Sequence, residues 1–193
     1  MNYLAHIFLS GKDSDLQIGN FIGDFVKGNQ FNDFPEGIRN GIILHRSIDH
    51  FTDNHEIVKE TISFLRPDFG RYSGIIIDMY FDYFLAINFS KYSGGKSLNH
   101  FAYRFYFYAL IKYKYLPDRV KNFIFHFIFT NRLSSYSSLE GLKRSLEIMS
   151  KHKVTAIHPQ KTIDFLILNQ TYLEQQFHLF FPDLIEFVKK KIN

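Results

Sequence analysis

Asp78 and Asp82 stand four residues apart inside IIIDMYFDYFLA, a run otherwise made of Ile, Met, Tyr, Phe, Leu and Ala. Four residues is roughly one turn of an α-helix, so both carboxylates project from one face. An isolated carboxylate costs several kcal/mol to bury, so two of them one turn apart call for a cation, a proton or a strong donor. A metal ion is the simplest common answer. The same spacing recurs upstream, in Asn20 with Asp24 (IGNFIGDFVKG) and in His45 with Asp49 (GIILHRSIDHFTD). Polar groups paired at this interval among apolar neighbours commit the chain to helices.

The rest of the chain agrees. Periodicity predicts a short helix over about Tyr3 to Leu9 and a second over Asp15 to Val26, ending at Gly28. A third starts near Pro35, capped by Asp33, and runs through His45 and Asp49 to about His50. Asp53 with Glu56 resembles a capping box opening the next helix, which ends before Pro67. A long apolar helix covers Ser73 to Asn88. Further helices fit Leu98 to Lys112, Pro117 to Thr130, Leu139 to Ser150 and Gln160 to Phe180, with a terminal piece after Pro182. All five prolines read as helix punctuation. No alternating strand, internal repeat or low-complexity linker interrupts the pattern, so the expected fold is an all-α, single-domain helical bundle over residues 1–193. Gly19 and Gly23, one turn apart, remove side chains where another helix or a ligand can approach the backbone closely.

Composition narrows the chemistry. The 193 residues include no cysteine, which excludes disulfides, thiolate metal sites and cysteine nucleophiles. A metal must then be held by His, Asp, Asn, Glu or water, which favours Mn, Mg or Fe over structural zinc. The 23 Phe and 12 Tyr read as core packing. Acids interrupt the longest apolar run, at Ile75 to Phe89, and no basic leader precedes an apolar stretch, so a soluble cytoplasmic protein is expected. The net charge of +4 suits a negatively charged partner.

Each candidate also has a structural reading. His45 and Asp49 could be a hydrogen-bonded pair on one helix face. Asp24 could be paired with an arginine, His6 could be a satisfied core histidine, and a helix cap accounts for Asp53 fully. Arg46 is turned roughly 100° from His45 around the helix, so it reaches a phosphate oxygen or forms a salt bridge rather than sharing the ligand position. The other seven histidines show no partner spacing of this kind. No phosphate-binding glycine loop, Rossmann fingerprint or nucleophile elbow is present.

Four segments, MNYLAH (1–6), GNFIGDFVKGN (19–29), GIILHRSIDHFTDNH (41–55) and DMYFDYFLA (78–86), resemble the acyl carrier protein phosphodiesterase family. A weaker likeness continues through residues 136–150 and 177–184. The resemblance implies an all-helical fold similar to the HD-type phosphohydrolases. It implies removal of the 4′-phosphopantetheine arm from holo acyl carrier protein, with manganese as the favoured ion and Mg²⁺ or Fe²⁺ as alternatives. Carried over residue by residue, it points to Asp24, His45, Asp49, Asp78 and Asp82 as a pool of metal ligands. It also points to Asp24, Arg46 and His6 as catalytic groups, with Arg46 steadying phosphate charge and His6 giving a proton to the leaving serine oxygen. Asp53 belongs to the same motif. Two positions depart from the family pattern: Tyr83 and Phe8 stand where members commonly carry histidine. The partner implied is the small, acidic carrier protein, with Lys27, Arg39 and Arg71 as contacts. Rival readings are an HD-like hydrolase of a nucleotide or other small phosphoester, and a non-catalytic helical module that binds the carrier.

Overall fold

A computed structural model describes residues 1–152 and 157–192, and every regular element among them is helical. The longer helices are α1 (Tyr3–Leu9), α2 (Ser14–Ile22), α3 (Glu36–Asn54), α4 (Glu56–Phe69) and α5 (Ser73–Ile87). They are followed by α6 (Phe89–Ser93), α7 (Leu98–Ile111), α8 (Asp118–Phe129), α9 (Arg132–Ser135), α10 (Leu139–His152), α11 (Pro159–Leu168) and α12 (Gln170–Ile192). Short 3₁₀ turns, including Gly23–Phe25 after α2, link them. A single aromatic-rich cluster fills the centre, with Phe21, Phe81, Phe84, Phe105, Phe177 and Phe180 almost fully buried. No helix among the described residues is long and apolar enough to cross a membrane.

Glycine sets the closest helix crossing. A Cβ on Gly19 would overlap the Ile38 carbonyl, and one on Gly41 would overlap that of Leu16, so α2 and α3 meet backbone to backbone. A Cβ on Gly23 would strike the His45 ring. The glycine spacing thus clears room for one specific side chain as well as for a helix.

The entry to α1 is anchored by α5. Asn2 Oδ1 accepts from the Tyr3 amide at 2.9 Å, while Asp82 accepts from the Leu4 amide at 2.8 Å and the Ala5 amide at 3.2 Å. The Met1 amino group pairs with Asp78 Oδ1 at 2.9 Å. A helix start has amides without internal partners and a positive end, so a buried carboxylate suits it.

Several boundaries differ from expectation. Pro67 lies inside the last turn of α4 and Pro182 inside α12. Interior proline costs about 3 kcal/mol, but Phe177, Phe180, Phe181 and Leu184 are fully buried on both sides of Pro182 and hold α12 continuous. Asp53 caps nothing: α3 continues to Asn54, its face kept in contact by Phe51, whose ring stacks 4.5 Å from Phe187. The segment expected as one helix over 160–180 breaks at Asn169 between α11 and α12. Asp33 ends a 3₁₀ turn, and α3 starts after Pro35 without a side-chain cap.

Candidate metal centre

Asn20 organises the site. It is fully buried on α2, and its Nδ2 donates to the His6 carbonyl at 2.8 Å and to Ser10 Oγ at 2.9 Å. Its Oδ1 must therefore accept, and His6 Nδ1–H donates to it at 2.7 Å. The backbone carbonyl of the same residue accepts from His45 Nδ1–H at 2.8 Å. One asparagine fixes the tautomer of both imidazoles, which is how outer-shell groups orient metal-binding histidines.

Both Nε2 atoms then turn toward oxygen. His6 Nε2 lies 3.1 Å from Asp49 Oδ1 and 3.2 Å from the Met1 carbonyl. His45 Nε2 lies 3.1 Å from Asp49 Oδ2 and 3.3 Å from Asp24 Oδ1. The potential ligand atoms of His6, His45 and Asp49 fall within 4.8 Å of one another.

Protons alone cannot satisfy this arrangement. The two imidazole rings stack 4.0 Å apart, so two charged rings would repel. Burial, reinforced by the neighbouring His45, holds His6 down at about 4. Burial also opposes charge on His45, but hydrogen bonds to Asp24 and Asp49 outweigh it and raise that ring to about 9. The same bonds hold Asp24 low, and they overcome the burial that would raise Asp49. At neutral pH one proton, on His45, serves its two carboxylate partners. The lone pair of His6 Nε2 faces two acceptors and no hydrogen. A divalent cation between neutral imidazole nitrogens and carboxylate oxygens fits this donor set, and thiolate-preferring ions do not.

The centre opens into a cavity of about 440 Å³. Asp24, Asp49, Asp53 and Asp78 line its acidic side, while Ile75, Met79, Ile148 and Met149 form an apolar wall. Asp24 and Asp49 reach it from above two buried histidines, with side chains 61% and 38% exposed.

The structure sorts the candidates into groups. His6, His45, Asp49 and Asp24 converge. Asp53 joins the cavity rim, two turns beyond His45 on α3. Asp78 lines the cavity but spends an oxygen on the Met1 amino group. Asp82 is not brought to the group: it is fully buried and both its oxygens hold α1 amides. Arg46 is a correction. Its guanidinium donates to the carbonyls of Val26 and Gly28 at 2.9 and 2.8 Å and stacks over Phe31, away from the cavity lining. The helix turn that separates it from His45 points it at the loop after α2. A proton-donor role for His6 also fits poorly, since it is neutral with its Nδ1–H committed to Asn20.

The two departures from the family pattern stand outside the centre. Phe8 packs against Phe89, Phe101 and Phe181, and Tyr83 against Phe84. Lys27, Arg39 and Arg71 do not line the cavity either. Arg132 lines the cavity without any sequence signal, and Tyr136 with only the weaker family likeness of residues 136–150. Asn20 was marked by its spacing from Asp24, although its backbone contact with His45 requires the fold.

The sequence model of the acyl carrier protein phosphodiesterase family matches residues 1–184. Proteins named acyl carrier protein phosphodiesterase from Klebsiella pneumoniae (strain 342) and Enterobacter sp. (strain 638) are each 30% identical to the chain, with 99% of both partners covered. The protein of that name from Yersinia pestis is 28% identical over 195 residues. No solved structure matches the chain significantly. The family match takes in every residue of the converging group, from His6 on α1 to Asp49 on α3, and the chain belongs to the acyl carrier protein phosphodiesterase family.

Proposed function

We propose that the protein is a metal-dependent phosphodiesterase, HD-like in its centre, that acts on holo acyl carrier protein in the cytoplasm. It cleaves the bond joining phosphorus to the carrier serine oxygen and releases apo protein and 4′-phosphopantetheine. Such an activity resets the carrier used in fatty acid biosynthesis. The observation that carries the reading is the convergence of His6 Nε2, His45 Nε2 and an Asp49 oxygen within 4.8 Å of one another, with both rings oriented by Asn20.

His6, His45 and Asp49 would hold the ion, with Asp24 beside them and manganese as the first choice. A bound divalent ion withdraws charge from the phosphodiester oxygens and acidifies water. Asp24, a carboxylate open to the cavity, accepts the proton that water loses as its oxygen bonds to phosphorus. The departing serine oxygen needs one proton, and Asp24 can return it. The apolar wall of Ile75, Met79, Ile148 and Met149 gives the pantetheine arm a surface to lie on. The positive balance of the chain assists approach of an acidic carrier.

The test mixes purified protein, holo acyl carrier protein and Mn²⁺ and reads the carrier's mass. Loss of the whole arm, abolished by chelation, is the expected result. An intact arm with every divalent ion tried rejects the assignment. Faster turnover of a nucleotide than of the carrier would favour a small-phosphoester hydrolase, and carrier binding that survives chelation with no turnover would favour a binding module.

A further inference from the structure

Arg132 is the single cationic side chain among the described residues lining the cavity. It begins α9, a four-residue turn between α8 and α10. The residue before it, Asn131, sits at φ 44°, the left-handed region that costs a non-glycine residue about 1–2 kcal/mol. No other non-glycine residue described has positive φ.

That conformation is held by Tyr106 of α7, itself buried. The Tyr106 hydroxyl donates to Asn131 Oδ1 at 3.2 Å and accepts from the Leu133 amide at 2.8 Å. Asn131 Nδ2 in turn donates to Asn99 Oδ1 at 3.4 Å, and Leu133 is fully buried. Residue 132 is thus gripped from both sides while its own side chain lines the cavity beside Tyr136, with which it shares a hydrogen bond. The guanidinium lies over the ring of Tyr136, 6.0 Å from its centroid. Four aspartates line the same cavity, yet among the described residues no carboxylate comes within ion-pair distance of Arg132. A guanidinium held this firmly, and kept apart from the nearby acids, suits an anion brought in from outside.

We propose that Arg132 binds the non-bridging oxygens of the substrate phosphodiester, the part expected of Arg46 from sequence, and that Tyr106 is its positioning residue. This rests on the phosphodiesterase reading. Arg132 steadies the negative charge that grows on phosphorus oxygens as the water–phosphorus bond forms and the phosphorus–serine bond breaks. It makes and breaks no bond itself and transfers no proton.

The experiment compares wild type, R132A, R132K and Y106F, all manganese-loaded. It uses two substrates, holo acyl carrier protein and bis(4-nitrophenyl) phosphate, and measures 4′-phosphopantetheine binding by calorimetry. R132A should lower kcat on both substrates by about 10²–10³-fold and weaken 4′-phosphopantetheine at least about tenfold, with bound manganese and Tm unchanged. Added guanidinium ion should restore part of the R132A activity, and R132K should recover less than a full guanidinium provides. Y106F should slow wild type about tenfold yet add almost nothing to R132A, because the two act as one unit. R132K guards against an R132A variant that fails to fold. Wild-type turnover of the small diester by R132A, with the loss confined to KM for the carrier, would make Arg132 a docking cation and overturn the proposal, as would unchanged binding of 4′-phosphopantetheine. If wild type cleaves neither substrate but still binds 4′-phosphopantetheine through Arg132, the phosphodiesterase reading fails while the clamp stands.

Discussion

The pair His45 and Asp49 on α3 and the pair Asp78 and Asp82 on α5 share one spacing and meet opposite fates. On α3, Asp49 lines the cavity with buried His45 one turn away, a second histidine arrives from α1 and Asp24 from the turn after α2. On α5 they face the start of α1, where Asp82 takes two amides and Asp78 takes the Met1 amino group. Helical spacing tells which groups share a face. What that face meets is decided by another element, and a helix start is as good an answer to a buried carboxylate as a metal ion. The two pairs are nonetheless joined: α5 fixes the end of the seven-residue helix that carries His6 into the centre.

Removing a member of each pair should separate the roles. His45→Ala deletes a ligand atom from the centre, so turnover of holo acyl carrier protein should drop on the order of 10³-fold. Bound manganese, read by elemental analysis, should fall with it. Full manganese content together with lost activity would move His45 from holding the ion to handling a proton.

The next largest effect is a pH dependence peculiar to the α3 pair. In chelator-treated protein, His45 is raised to about 9 from an ordinary 6.5. A group raised on folding adds stability that is complete below its unfolded value and disappears as pH climbs through the folded one. The stability of metal-free protein should therefore decline between about pH 6.5 and 9, by on the order of 3 kcal/mol from this ring. Thermal unfolding across that range checks it. The share that vanishes in His45→Gln belongs to the imidazole, whereas the Met1 amino group, also raised by Asp78, remains. An identical slope in the variant would mean that the carboxylates do not charge His45.

Asp82→Ala probes the other side of the contrast. Two buried amides lose their acceptor, at a cost of about 2 kcal/mol, and Tm should fall by roughly 4–8 °C. Asp24→Ala, at an exposed carboxylate, should shift Tm by less than about 2 °C while lowering activity far more. Equal Tm losses would erase the distinction between a helix-anchoring acid and a site acid.

These fates also mark what could be read from the residues beforehand. Helix existence followed from periodicity, and the Gly19 and Gly23 pattern announced a close approach, which α3 makes at Gly19 and the His45 ring at Gly23. The shared face of His45 and Asp49 was legible from their four-residue spacing on α3, whereas their meeting with Asp24, which sits in the 3₁₀ turn after α2, required the fold. Three further things were hidden. Continuation of α12 through Pro182 depends on buried phenylalanines supplied by the whole fold. The answer to Asp82 lies 77 and 78 residues away in sequence, at the amides of Ala5 and Leu4. Arg132 sits in TNRLSSY, where no periodic or charge pattern sets it apart, and its place is fixed by Tyr106 from another helix.

Arg46 offers the smallest and most discriminating change. Its neighbour His45 suggested a phosphate ligand, yet the guanidinium binds two loop carbonyls, and charge contributes to those bonds only by strengthening the donors. Arg46→Met keeps the packing over Phe31 and removes the donors to Val26 and Gly28, loosening the loop just beyond Asp24. Activity should fall far less than in R132A, since the two hydrogen bonds removed hold a loop and no contact with the reacting phosphate is lost. The loss should lie in kcat through Asp24 and should not respond to added guanidinium ion. A drop matching R132A, with rescue by guanidinium, would return the phosphate to Arg46 and show that the loop moves when substrate binds.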